Sequence, residues 1–404
     1  MKKKLNWLSP LLVFAAVFAA GMLLHRYTFI QKEYFGLYLN TPDYFADVRN
    51  SDHPLLTLIG NYIVQFYRLP WFGPALTALL VTLGFVLLRL ILRLFSRSRV
   101  PAAIAGVLAV AAVITVYLLP ASRERERWAK VEYAVLHKQW DKVAGAITPK
   151  LAEKDRVLIP YALLSYSELG TLPQNIFRYP VTGPEDIDLE GELTRHGYYF
   201  TSIVNECMGC TNEAIHNTFQ TACTTPYGTS FGTLRQLIKY NIASGNKAMV
   251  YKYCDVLETS PFNASTARAA RRYADALPDG SSLDQGASDT ASIVTHSTFR
   301  NLRLMAEEGY FNAAAADRFR CLLLLQRDLR SFASSFSPEE DIAALPLSYQ
   351  QALCLVSDPD IQKKLPTAVT EAFRSYMEEY NQLRTKDDDP IQPGTYWEYY
   401  FMGY

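Results

Sequence analysis

At 404 residues, with 49% hydrophobic and 20% charged side chains, the chain can bury more than one core and lacks the composition of a disordered protein. Forty Lys and Arg balance forty Asp and Glu, so no field of one sign exists to hold a polyanion, and a nucleic-acid partner is not expected. The 26 Tyr and 21 Phe favour membrane interfaces and helix packing over a reaction.

Lys2, Lys3 and Lys4 precede an apolar run, and residues 7–30 read as a first membrane span. Small Ala19 and Ala20 after an apolar core also fit a cleavable signal. Apolar character continues past them through Leu24 to Phe29 and Ile30, which favours a retained span. The next stretch is polar and aromatic, with Tyr34, Phe35, Tyr38, Tyr44 and Phe45 suited to a headgroup layer. Residues 54–69 hold a shorter apolar run in which Asn61 and Gln65 share one helical face, and they read as an interfacial helix. Residues 71–96 form a second span whose Arg89 and Arg93 can snorkel, and residues 100–119 form a third.

Lys2–Lys4 and the cluster Arg89, Arg93, Arg97 and Arg99 both belong in the cytoplasm by the positive-inside rule. Two crossings between them satisfy it, and the third span then carries Pro120 onward outside. The address expected is a membrane, with the N-terminus cytoplasmic and the tail on the outer side. A crossing by residues 54–69 would reverse the tail. Arg123, Arg125 and Arg127 alternate with Glu124 and Glu126, and are expected to pair along an exposed helix rather than bind anionic headgroups.

From Trp128 onward the apolar residues keep a helical period and strand signals are nearly absent. Turns at Trp140, Gly170, Gly209, Gly245 and Gly309 are separated by 30, 39, 36 and 64 residues, a period in the range of helix-turn-helix repeats. Leu234, Leu237, Ile238 and Ile242 are expected to face Val250, Tyr253, Cys254 and Leu257. The fold class expected is all-α: membrane helices over residues 1–120, then an α-solenoid of tetratricopeptide-like hairpins. Repeats occupy residues 121–277, a flexible loop 278–292, and further repeats with an aromatic tail 293–404.

Apolar spans at the front, Gln139-Trp140-Asp141, the turn Gly170-Thr171-Leu172-Pro173, the segments Ala243-Ser244-Gly245-Asn246 and Lys252-Tyr253, and the terminal Thr395-Tyr396-Trp397 form a recognisable set. In these the chain resembles an uncharacterised family of Gram-negative gut-bacterial membrane proteins with a tetratricopeptide-like tail. The resemblance implies architecture and no reaction, and with the charge pattern it makes the expected address a bacterial inner membrane with a periplasmic tail.

Cys207-Met208-Gly209-Cys210 is the sharpest local motif. With His216 and Cys223 it offers four metal donors, and alone it could be a redox dithiol. An apolar helix face before Cys207, a turn at Gly209 and no βαβ context favour structural cysteines or a disulfide instead. All six cysteines lie in the soluble part, an even count that suits disulfides in an oxidising compartment. Asp43 and Asp47 resemble the first outer loop of membrane glycosyltransferases that use lipid-linked sugars, where a carboxylate acts as base or metal ligand. The bland reading is solvated acids in a loop, as it is for Asp387, Asp388 and Asp389. Tyr396, Trp397, Tyr399 and Tyr400 either form a docking peptide or fold back into the last helical groove. No cofactor is implied. The function expected is a membrane-anchored scaffold whose partners are the lipid bilayer and other proteins, with the glycosyltransferase-like reading as the alternative.

Overall fold

The computed structural model describes residues 5–95, 100–187, 189, 194–278, 298–307, 312–382 and 390–403, and among them all regular structure is helical. Lys2, Lys3, Lys4, Arg97, Arg99, the turn expected at Gly309, most of the expected loop 278–292, and Asp387–Asp389 lie outside the described residues, as does the side chain of Arg93. The sequence divides at residues 121 and 278, but packing groups the chain differently. One compact unit is Met1–Tyr133 with Thr218–Leu283, and the other is Ala134–Asn217 with Asp284–Tyr404.

In the first unit the helices Leu5–Leu24, Phe72–Phe95 and Val100–Leu118 pack on one another. Val13, Val17, Ala78 and Phe85 are buried between them. Their outer faces are apolar and exposed, including Leu11, Leu12, Leu80, Leu83, Leu87, Val107 and Leu108. Among the described residues only Phe72–Leu92 is by itself long and apolar enough to cross a bilayer. Leu8–Leu24 and Ala103–Leu118 bend, by 67° and 62°, into the helices Arg26–Tyr34 and Pro120–Leu136.

The unbroken span expected over residues 7–30 is therefore corrected: the helix ends at Leu24 and restarts at Arg26. Charge explains the break, since a straight helix would carry Arg26, Lys32 and Glu33 further along the apolar axis. The backbone donors freed at the restart are satisfied by Glu126. Its carboxylate accepts from the Tyr27 and Thr28 amides at 2.9 and 2.8 Å and from the Thr28 hydroxyl at 2.8 Å. Glu126 thus caps another helix, where the sequence has it pairing along its own.

Pro54–Val64 is an eleven-residue helix. At 1.5 Å per residue it is roughly 16 Å long, about half of a bilayer's hydrocarbon core. It turns Leu55, Leu56, Ile59 and Tyr62 outward, while the chain beyond it buries Gln65 completely.

One corner recurs through both units. A residue with left-handed backbone ends a helix at Lys138, Gly170, Gly209, Gly245 and Arg327, with φ of 52°, 67°, 78°, 74° and 58°. The next amide then reaches back five residues to a helical carbonyl, in Gln139 to Ala134, Thr171 to Tyr166, Cys210 to Asn205, Asn246 to Asn241 and Asp328 to Leu323, at 2.8–3.0 Å. A second helix starts one or two residues later. The face-to-face stripe expected within one pair is present in all but one position: Leu234, Leu237, Ile238, Val250, Tyr253, Cys254 and Leu257 are buried, and Ile242 is only partly buried.

In the second unit the largest buried side chains include Tyr161, Phe200, Arg318, Phe332, Tyr349, Tyr376, Tyr396 and Trp397. The last helix, Tyr396–Met402, is capped by the Thr395 hydroxyl and lies against Leu347–Leu353.

Candidate functional site

A long polar seam lies in the first unit, where the segment after the first apolar helix meets the hairpin Phe231–Ala243 and Lys247–Glu258 and the helix Ala264–Ala276. Glu33 is 1% exposed. Both its oxygens accept from the Arg235 guanidinium at 2.7 Å, and Arg235 also donates to Asn263 Oδ1 at 3.3 Å. Burial opposes the charge on Arg235, and Glu33 outweighs it, so the guanidinium is held above its ordinary pKa. Next in sequence, the Tyr34 hydroxyl bonds the Gln236 side chain. Gly232 lies beneath the Tyr34 ring so closely that any Cβ there would collide with it.

Backbone and amide groups continue the seam. Phe231 N donates to Gly36 O at 2.9 Å, and Asn40 N to Thr259 O at 3.2 Å. Gln65 accepts from Phe262 N at 3.1 Å and donates to Tyr62 O at 2.8 Å. Asn61 donates to the hydroxyls of Tyr44 and Tyr227, both at 2.8 Å. The two amides that share a face in the sequence therefore both serve this seam. Every charge in it is matched within the protein, so it positions helices and offers no free acid or base. Beside it, Ile238, Ile242, Ala270 and Tyr273 line an open apolar groove of about 450 Å³ with Lys239 also in its wall.

The other candidates are dispersed. Asp43 and Asp47 lie on Pro42–Arg49 one turn apart, both exposed, opposite buried Tyr44 and Val48. Cys207 and Cys210 flank the corner at Gly209. Cys210 is buried with its Sγ 3.8 Å from Met305 Sδ. Burial and then the Glu168 carboxylate push the Cys207 thiol up, so it stays protonated at neutral pH and is a poor nucleophile. Cys223 is exposed at the far end of Thr211–Cys223, a helix whose length places it roughly 18 Å from the start. The set Cys207, Cys210, His216 and Cys223 is not brought together. Among the described residues no group of three or more His, Cys, Asp or Glu could hold a metal ion. No disulfide joins any of the six cysteines, against the disulfide expectation.

The aromatic terminus folds back. Tyr396, Trp397 and Tyr399 are buried and only Tyr400 is partly exposed. The Trp397 indole donates to Gln351 O at 2.8 Å, and the Tyr399 hydroxyl to Leu325 O at 2.6 Å. Burial pushes the Tyr399 hydroxyl up to about 12, as its use as a donor requires. A peptide so spent on the protein's own carbonyls is not a docking tail.

Sequence reasoning missed Glu33 and Arg235, which are 202 positions apart, and no local pattern links them. It missed Arg318, 1% exposed, which donates to Ile187 O at 2.5 Å. The signal available for Glu33 was its position, a lone acid between Tyr34 and an apolar helix.

The fold defines an all-helical protein whose polar groups are largely spent on its own packing and whose first unit bears an exposed apolar helical bundle. The chain belongs to the family of unknown function DUF6057, whose model matches residues 2–121 and 111–403. Comparison with curated proteins and with solved structures finds no match.

Proposed function

We propose that this chain is a membrane-anchored helical-repeat scaffold of the bacterial cell envelope, acting by binding proteins and not by catalysis. The observation that carries the anchor is the first unit's outer surface. Three mutually packed apolar helices leave large aliphatic side chains exposed around their circumference, far more than a water-soluble surface tolerates. Pro54–Val64 extends that surface with Leu55, Leu56 and Ile59 outward, as an interfacial helix would. Its length argues for an odd number of crossings, which puts the two ends on opposite sides, and the basic residues Lys2–Lys4 favour a cytoplasmic N-terminus with a periplasmic remainder.

The recurring corner supports a tetratricopeptide-like array, because repeats joined by one turn geometry stack in a regular way and present concave surfaces. The apolar groove beside Tyr273 is the surface of this kind that the first unit offers. The test is a pair of reporters fused at Tyr404, one active only in the periplasm and one only in the cytoplasm, combined with crosslinking in intact cells. Periplasmic activity with a reproducible crosslinked protein partner is the expected result. Cytoplasmic activity overturns the address, and Asp43→Asn with Asp47→Asn abolishing a phenotype at unchanged protein level would overturn the scaffold in favour of the glycosyltransferase-like reading.

A further inference from the structure

The two bends of the first unit carry a cluster of unmatched cations. His25 is the residue at the first bend; its ring stacks on Tyr117 with centroids 4.7 Å apart, and its Nδ1 is buried without a hydrogen-bond partner. Lys32 lies on the helix that starts there, Arg26–Tyr34. Arg125 comes from the helix that restarts after the second bend. Its neighbour Glu126 holds the Tyr27 and Thr28 amides, which brings Arg125 to the turn that carries Lys32, and partial burial and then the Arg125 charge hold the Lys32 ammonium below its ordinary value.

Neither cation has an acid within reach on its own helix. Around Lys32 the positions three and four away are Thr28, Phe29, Phe35 and Gly36; around Arg125 they are Ala121, Ser122, Trp128 and Ala129. Glu126, the adjacent carboxylate, is committed to three donors of Tyr27 and Thr28. Glu33 is committed to Arg235. Two cations and an orphaned imidazole nitrogen thus converge where two apolar helices end, the level at which a bilayer presents phosphate.

We infer that His25, Lys32 and Arg125 form a binding site for the phosphate of an anionic lipid headgroup. The assignment rests on the membrane-anchor reading above and adds a lipid preference to it. Phosphate supplies the missing counter-charge to Lys32 and Arg125 and accepts from the neutral His25 ring in the tautomer that carries its proton on Nδ1. Lipid is the source favoured over free phosphate because the cluster sits at the ends of Leu5–Leu24 and Val100–Leu118, whose outer faces are apolar.

The test uses the full chain reconstituted into vesicles of phosphatidylcholine, or of phosphatidylcholine and phosphatidylglycerol in equal amounts, then extracted in neutral detergent for lipid counting by native mass spectrometry. Wild type should retain phosphatidylglycerol over phosphatidylcholine by roughly tenfold, the scale expected when two basic side chains meet an anionic lipid. Lys32→Gln with Arg125→Gln should lose that preference while still entering both vesicles. Lys32→Glu, which gives Arg125 a partner on the chain and so favours folding, should lose it too. Equal retention of both lipids by wild type, an undiminished preference in the variants, or displacement of the lipid by millimolar inorganic phosphate alone would overturn the site. Failure of wild type to enter either vesicle would instead overturn the anchor.

Discussion

The two units close in opposite ways. In the first, a late segment is locked onto an early one by charge and close approach: Glu33 to Arg235, Tyr34 over Gly232, Gln65 onto Phe262 N. In the second, the late helix Tyr396–Met402 is held by ring packing, with Phe177 against Tyr396 and Tyr399 at 5.2 and 5.3 Å and Phe373 against Trp397 at 5.2 Å. Its hydroxyl and indole donors finish on backbone carbonyls. A buried ion pair contributes little net stability but penalises any misplacement that leaves one charge alone. Aromatic burial contributes much stability and tolerates small shifts. The first unit is therefore built for register, and the second for adhesion.

Three substitutions break or sharpen that contrast. The first two are read by the rate at which buried thiols become open to alkylation, Cys254 for the first unit and Cys321 for the second, and the third by thermal midpoint. Arg235→Met should have the largest effect, about 3–5 kcal/mol, because it strands the Glu33 carboxylate. Cys254 should react faster and Cys321 at its wild-type rate, and adding Glu33→Leu should restore most of the loss. If the double variant stayed as labile as the single one, charge matching would not be what closes the first unit.

Trp397→Phe should cost the second unit about 2 kcal/mol, from lost volume and an unpaired Gln351 carbonyl. Here Cys321 should become reactive and Cys254 should not. Equal acceleration of both thiols would mean that the units open together.

Asp328→Ala should cost about 1 kcal/mol as a lost helix cap. Hydrogen bonds from Ser331 hold the Asp328 carboxyl below its ordinary value, so its contribution is present above the unfolded pKa and disappears as pH falls through the lower folded one. The gap between wild type and variant in thermal midpoint should therefore narrow in strong acid, and a constant gap would refute the assignment.

Much of this was legible in the chain. The three apolar helices stand out by composition, and Gly170, Gly209 and Gly245 mark corners because only glycine enters the left-handed region without strain. The corner beside Trp140 was legible from Gln139-Trp140-Asp141, although Lys138 holds its left-handed position. The matching corner at Arg327 gave no such sign, since an arginine in that conformation runs against local preference. The bend at His25 was hidden because Phe29 and Ile30 prolong the apolar run, whereas the Glu126 cap that satisfies the restarted helix comes 98 and more positions later. The aromatic terminus was legible as important, with burial one of two open readings, because its partners are carbonyls that every residue carries.

The wide separation of Glu33 and Arg235 sets a clock on biogenesis. Synthesis runs at roughly 5–20 residues per second, so a gap of 202 positions leaves Glu33 waiting about 10–40 s for its partner. During that interval the carboxylate must stay hydrated or be shielded by another factor, and the seam cannot close. The apolar helices are thus complete well before the unit that contains them, and a ribosome stalled ahead of Arg235 would leave a chain with its anchor made and its clasp open.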